Sequence, residues 1–258
     1  MKPTVAVVTG GGSGMGQIYA RRMANDGVKV AIIDVNDEGL NKTAAESKNI
    51  KPYRCDISDL SAVEGTIRQI GEDLGTIDRF VHCAAIMPTA HLMAQPTALI
   101  HKLMSINYGG TVNVVKTALP EMLSRKGGEF IIFGSIAGSV LTPQLGAYGA
   151  TKAATNAFTE VLIEENRGSG VHIMLVCPPM VNTPLLKQAT ENSNPKAIRD
   201  SIAKGRLADP NFMIDEVEKG IRNKVEILLP GAEAKILMRM RRYTPRLLWK
   251  IILLSMKE

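Results

Sequence analysis

Residues 5–16 read VAVVTGGGSGMG. Four apolar residues run straight into a glycine-rich turn, and a helical pattern begins near residue 15. A run that is apolar on both faces is the mark of a buried parallel strand. Gly10, Gly14 and Gly16 then stand where strand gives way to helix. Glycine at such a point permits positive φ and lets the backbone approach a pyrophosphate closely. The helix start adds unpaired N–H groups and the positive end of a dipole. Ser13 and Met15 belong to the same turn, so the stretch reads as a dinucleotide cradle.

The pattern repeats outward from there. The segments 29–34, 52–55, 79–83, 129–133, 171–177 and 226–230 read as further strands. Helical periodicity falls between them, near 15–26, 37–48, 60–73, 97–124 and 148–166. Alternation of this kind predicts an α/β, doubly wound Rossmann fold, a seven-stranded parallel sheet with helices on both faces. Nothing divides residues 1–231, which read as one domain. A loop-rich, proline-containing excursion runs from Pro178 to about Asn211 and is expected to act as a lid over about 180–211. Residues 232–258 form a basic, amphipathic extension.

Composition narrows the function classes. The net charge is +6, yet the last 27 residues carry seven basic and two acidic groups, so the body is almost neutral. That excludes a basic nucleic-acid-binding body. Cys55, Cys83 and Cys177 are isolated in sequence, and the four histidines show no ligand spacing. No metal site and no disulfide framework is expected, and the histidines receive no role. Without a signal-type or spanning apolar run, the expected location is cytoplasmic.

The second strand ends at Asp34, 18 residues after Gly16. A carboxylate there can accept from both adenosine ribose hydroxyls and would repel a 2′-phosphate. Positions 35 and 36 hold no arginine or lysine. The reading favours NAD over NADP as cofactor.

Residues 148–152 read YGATK. On a helix, Tyr148 and Lys152 lie one turn apart on one face. Alone the pair is weak. Together with Thr9–Gly16, Asn107 in SINYGG and Ser135, which stands 13 residues before Tyr148, it resembles the short-chain dehydrogenase/reductase family in its single-domain branch. The resemblance covers Thr4 to about Pro230. It implies an oxidoreductase interconverting a secondary alcohol and a ketone, with Tyr148 as general acid/base, Ser135 hydrogen-bonding the substrate oxygen, Lys152 holding the nicotinamide ribose and Asn107 positioning a relay water. It also implies that Asp56 and Ile57 meet the adenine, that Cys83, Ala84 and Ala85 pass along the cofactor, and that Pro178, Val181 and Thr183 flank the nicotinamide. A homodimer or homotetramer is the implied assembly. The chain departs from the family where Cys83-Ala84-Ala85 replaces Asn-Ala-Gly and where Pro179 replaces a glycine.

A tyrosine titrates at ~10, and bringing it to ~7 takes about 4 kcal/mol. An ammonium ~4 Å away supplies on the order of 4 kcal/mol at an effective dielectric of ~20. Lys152 is therefore expected to pull Tyr148 down. The substrate pocket is expected to be lined by Met87, Met93, Ile136, Leu141, Leu145, Met180 and Leu185, which suits a lipophilic alcohol or ketone. Two other readings stay open, a catalytically silent dinucleotide-binding scaffold and a 3-ketoacyl reductase. In the tail, Arg246, Lys250 and Lys257 are expected to share one face and Leu247, Leu248, Ile251 and Ile252 the other. Residues 236–255 could serve as a peripheral membrane contact or an oligomer interface.

Overall fold

The computed structural model describes residues 2–255; Lys257, assigned above to the basic face of the tail, lies outside them. Seven strands form one parallel sheet in the order β3-β2-β1-β4-β5-β6-β7. They are β1 Val5–Thr9, β2 Lys29–Asp34, β3 Ile50–Arg54, β4 Arg79–His82, β5 Gly128–Phe133, β6 Val171–Val176 and β7 Ile227–Leu228. The strand order reverses between β1 and β4, which opens a crevice at the carboxyl ends of those two strands.

Alternation along each strand sends successive side chains to opposite layers. Val7, Ile33, Phe80 and Ile132 join one core, packed against α3 (Leu60–Leu74), α5 (Gly110–Ser124) and α6 (Gly146–Glu165). Ala6, Val8, Ile32, Val81 and Met174 join the other, against α1 (Gly14–Asn25) and α9 (Pro210–Arg222). Both faces of the sheet are therefore dry, which is why the strands read as continuous apolar runs. Helix α2 is Asp37–Ala44.

Three segments depart from the sequence reading. The stretch 97–124 is helical throughout but not uniformly α: α4 (Thr97–Met104) meets α5 through a π-helical turn, Ser105–Gly109, which contains Asn107. The excursion after Pro178 is mostly helical, with α7 (Pro184–Asn192) and α8 (Lys196–Ala203). Helix α9 went unread, although Asp209 caps the Asn211 and Phe212 N–H groups and Pro210 occupies the first turn. The tail forms α10 (Gly231–Tyr243) and α11 (Pro245–Ser255), broken at Pro245 as expected. Its apolar face is divided, however. Leu248 is buried in a cluster with Ile136, Val140 and Ala234, whereas Leu247 and Ile251 are exposed.

At the amino end of β4, Arg79 is buried and pairs with Glu129 at 2.7 Å and Glu218 at 2.6 Å. Removing one partner of such a network leaves uncompensated charge in a low-dielectric setting. Arg79→Ala is expected to cost about 3 kcal/mol in urea unfolding. Because the residue sits at the strand ends opposite the crevice, NADH affinity of the folded variant should not change.

Candidate active site

The glycine turn is shaped by sterics. Gly10 has φ +69°, and a Cβ there would stand 3.0 Å from the Ala84 backbone. A Cβ on Gly16 would stand 2.3 Å from the Gly10 carbonyl oxygen. The Ser13 side chain makes no cap hydrogen bond to α1, and no acidic residue stands in the first turn. The first N–H groups of α1 are thus left for an anion, and the turn fits a pyrophosphate.

A cleft of about 800 Å³ opens from this turn. Gly10, Ser13, Gly14, Met15, Gly16, Asp34, Asp56, Ile57, Cys83, Ala84, Ala85 and Thr183 line it. Asp34 is held by the chain itself: Oδ2 accepts from Gly12 N at 3.0 Å, and Oδ1 accepts from Val35 N at 2.8 Å and Asn36 N at 3.1 Å. Oδ2, which has a single donor, keeps lone-pair capacity for a further one. Arg54 also lines the cleft, with its guanidinium 3.2 Å from Asp37. Sequence spacing alone did not show this arginine beside Asp34. Its signal is the register of β2 against β3, which sets Asp34 beside Arg54.

A smaller cavity of about 110 Å³ adjoins the cleft, and Met15, Cys83, Ala85, Thr183 and Leu185 line both. Ser135, Tyr148 and Lys152 line it together with Pro178 and Val181, and with Met87, Ile136, Leu145 and Met180 from the expected substrate pocket. Leu141 is not there; it lines a groove beside α10. Met93 is 99% exposed. A 3-10 turn at Ile136–Gly138 carries the chain out of the site before residue 141. Gly138 lies against the Lys152 backbone, where a Cβ would come within 2.7 Å.

Ser135 is pinned at its main chain. Its N–H donates to Asn156 Oδ1 at 3.3 Å, and its carbonyl accepts from Asn156 Nδ2 at 2.9 Å. Its Oγ accepts from Ala137 N at 3.1 Å, which leaves the hydroxyl proton free to donate. Asn156 was missed in the sequence. It lies one turn beyond Lys152 on the same helix face, the periodicity that could have shown it.

The electrostatics correct an expectation. Burial pushes Tyr148 up to about 12, and a hydrogen bond with Ser135 only partly opposes it. Lys152 takes no part in that balance. Its ammonium donates to the Phe133 carbonyl at 2.7 Å, and burial pulls it down to about 8. Desolvation disfavours both charged forms, and the free-energy cost of burial exceeds the attraction inferred from spacing. Burial likewise pushes the Cys83 and Cys177 thiols up to about 12, so both stay protonated.

Asn107 lines neither the cleft nor the cavity. It is fully buried, and its side chain is committed: Oδ1 accepts from Ile86 N, and Nδ2 donates to Ile86 O and Thr151 Oγ1, all within 3.0 Å. It clamps the segment after β4 to the helix bearing Tyr148, since Thr151 Oγ1 donates to the Tyr148 carbonyl.

His82, left without a role above, joins this frame. Thr111 Oγ1 donates to the Asn107 carbonyl, so His82 Nε2 carries the proton toward Thr111 and Nδ1 accepts from Thr9. Burial, with the Lys152 charge second, holds the imidazole down to about 3, so it is neutral throughout the working range. A directed chain of hydrogen bonds thus joins the glycine turn to the π-helical turn. No spacing in the sequence foretells it, because it spans β1, β4 and α5.

Among the described residues there is no cluster of three or more potential metal ligands, and no helix is long and apolar enough to cross a membrane. A family model described as short chain dehydrogenase matches residues 4–194. The oxidoreductase UcpA of Salmonella typhimurium is 31% identical over 220 residues, covering 80% of this chain and 82% of that protein. Estradiol 17-beta-dehydrogenase 11 of Rattus norvegicus is 26% identical over 252 residues, covering 95% of this chain and 81% of that protein. The crystal structure of a short chain dehydrogenase/reductase from Burkholderia phymatum in complex with NAD superposes with a TM-score of 0.82 at 24% identity, over 95% of this chain and 94% of that one, and shows the same fold. With the glycine cradle, the crevice at the strand reversal and these matches together, the chain belongs to the short-chain dehydrogenase/reductase family of NAD(P)-dependent oxidoreductases.

Proposed function

We propose that this protein is an NAD-dependent oxidoreductase that interconverts a lipophilic secondary alcohol and its ketone. The observation that carries this reading is the continuity of the dinucleotide cleft with a small apolar cavity bearing Ser135, Tyr148 and Lys152 at the junction. A bound nicotinamide would supply or accept the hydride. The chain's own residues handle the proton and the position of the substrate.

In the reducing direction Tyr148 gives its proton to the substrate carbonyl oxygen. The elevated pKa keeps that proton on the phenol through the neutral range, the form a general acid needs. The Ser135 hydroxyl, which also bonds Tyr148, donates to the same oxygen and stabilises its developing charge. Lys152, an ammonium below about pH 8, is anchored on the Phe133 carbonyl and would offer its remaining N–H groups to the coenzyme ribose. Asn107 works through Ile86 and Thr151 as a positioning residue rather than by touching substrate. Leu186, Ala189 and Ile198 of α7 and α8 pack on Met87 and Tyr148 and roof the cavity with apolar surface. None of the residues lining that cavity apart from Lys152 is charged, which suits an uncharged substrate.

The coenzyme assignment rests on Asp34. A charge-assisted hydrogen bond contributes about 1.5–3 kcal/mol. Asp34→Ala is therefore expected to weaken NADH binding roughly 10- to 150-fold while weakening NADPH far less. Titrating both coenzymes by fluorescence decides it. Tighter binding of NADPH by the wild type would overturn the assignment. For the reaction itself, NADH consumption should be measured against a panel of apolar ketones and of carboxylated ones. Turnover confined to carboxylated substrates would contradict the proposed pocket.

A further inference from the structure

We infer that the C-terminal helix pair is a docking surface for an anionic phospholipid bilayer. This goes beyond the dehydrogenase reading and does not depend on it. Helix α11 is apolar on two sides. Leu248 and Ile252 seat it on the protein in the cluster with Ile136 and Val140. Leu247, Ile251 and Leu254 follow one another at helical spacing on another face and are 50%, 46% and 53% exposed. Arg246 and Lys250, also exposed, form a row beside that stripe. The preceding helix adds Lys235, Arg239 and Arg242 at the same spacing, along a groove whose floor includes Leu141, Ile227 and Met238.

Charge decides what covers this surface. Among the described residues, none of Lys235, Arg239, Arg241, Arg242, Arg246 and Lys250 forms an ion pair. A twofold contact with a second copy would set this uncompensated cationic surface against itself. An anionic lipid surface complements it, and half-exposed leucine and isoleucine side chains can enter the acyl boundary beside headgroup-bound cations. At 11 residues, α11 is too short to span a bilayer and would lie in its interface.

The test is co-sedimentation of the full chain with phosphatidylcholine vesicles, alone or with about a third phosphatidylserine. Binding is expected only to the anionic vesicles and should fall sharply between about 0.1 M and 0.5 M salt. The double variant Arg246→Gln, Lys250→Gln should lower partitioning about 30-fold, each cation contributing roughly fivefold. The double variant Leu247→Glu, Ile251→Glu should abolish it. All of these positions are exposed, so an unchanged thermal midpoint checks the fold without reference to activity. Equal retention by neutral vesicles, no retention by either kind, or undiminished binding of both variants would overturn the inference. So would a fall in molar mass by light scattering in the leucine–isoleucine variant without a change in vesicle binding, which would make the stripe a contact between copies.

Discussion

Replacement of Tyr148 by phenylalanine is expected to lower kcat/KM for ketone reduction by roughly 10³-fold. The substitution removes one oxygen from a side chain that is only 6% exposed, so the cavity keeps its shape. The roof formed by Met87, Leu186 and Ile198 should stay in place. The coenzyme turn lies on a different element, so the Kd for NADH should stay within about threefold of wild type. Steady-state kinetics combined with NADH fluorescence titration separates the two quantities. A variant that loses NADH affinity in parallel with turnover would assign Tyr148 to structure rather than to proton transfer. A variant that keeps full turnover would remove Tyr148 from the mechanism.

Lys152→Met is expected to make the protein more stable while removing activity. The buried ammonium is pulled from its ordinary 10.5 to about 8, a difference that corresponds to roughly 3 kcal/mol against the charged form. Below pH 8 the folded protein carries that cost in full. Between 8 and 10.5 the folded state binds fewer protons than the unfolded chain, so the wild type gains stability as pH rises. Methionine removes the charge but also strands the Phe133 carbonyl, which offsets about 1 kcal/mol. The expected net gain at pH 7 is roughly 2 kcal/mol, shrinking through pH 8 to 10.5. Turnover should fall at least about 100-fold, because the coenzyme ribose would lose the ammonium that positions it. Urea unfolding at several pH values checks the first part. A variant less stable than wild type at pH 7 would mean that the ammonium is stabilised where it sits. Tyr148 acts at the alkaline end with the opposite sign. With its pKa raised to about 12, its contribution to stability is lost only as pH climbs from 10 toward 12.

How much of this was legible depended on where the information resides. The strands could be read because a sheet covered on both faces needs continuous apolar runs, and β1, β5 and β6 have them. The helices after Pro178 were hidden by their prolines, which look like breakers. Yet Pro184 and Pro210 occupy first turns and Pro195 caps α8, places where proline starts a helix. Helix α9 was within reach, given Asp209-Pro210 and the spacing of Met213, Ile214, Val217 and Ile221. Within the site, one helix turn brings Lys152 near Tyr148, so spacing sufficed for that pair. Direction and burial did not follow from spacing. The ammonium turns to Phe133, and desolvation rather than charge attraction sets both pKa values. Asn107 and His82 needed the three-dimensional frame, because their partners Ile86, Thr151, Thr9 and Thr111 come from elements distant in sequence.

The most direct test of the central claim follows one deuterium. NADH deuterated at the transferring carbon should be incubated with an apolar ketone, using wild type and Tyr148→Phe. The account predicts that the label reaches the carbinol carbon of the alcohol with wild type, and that this transfer is almost lost in the variant although it still binds NADH. Label released to water, or delivered equally well by the variant, would contradict the account.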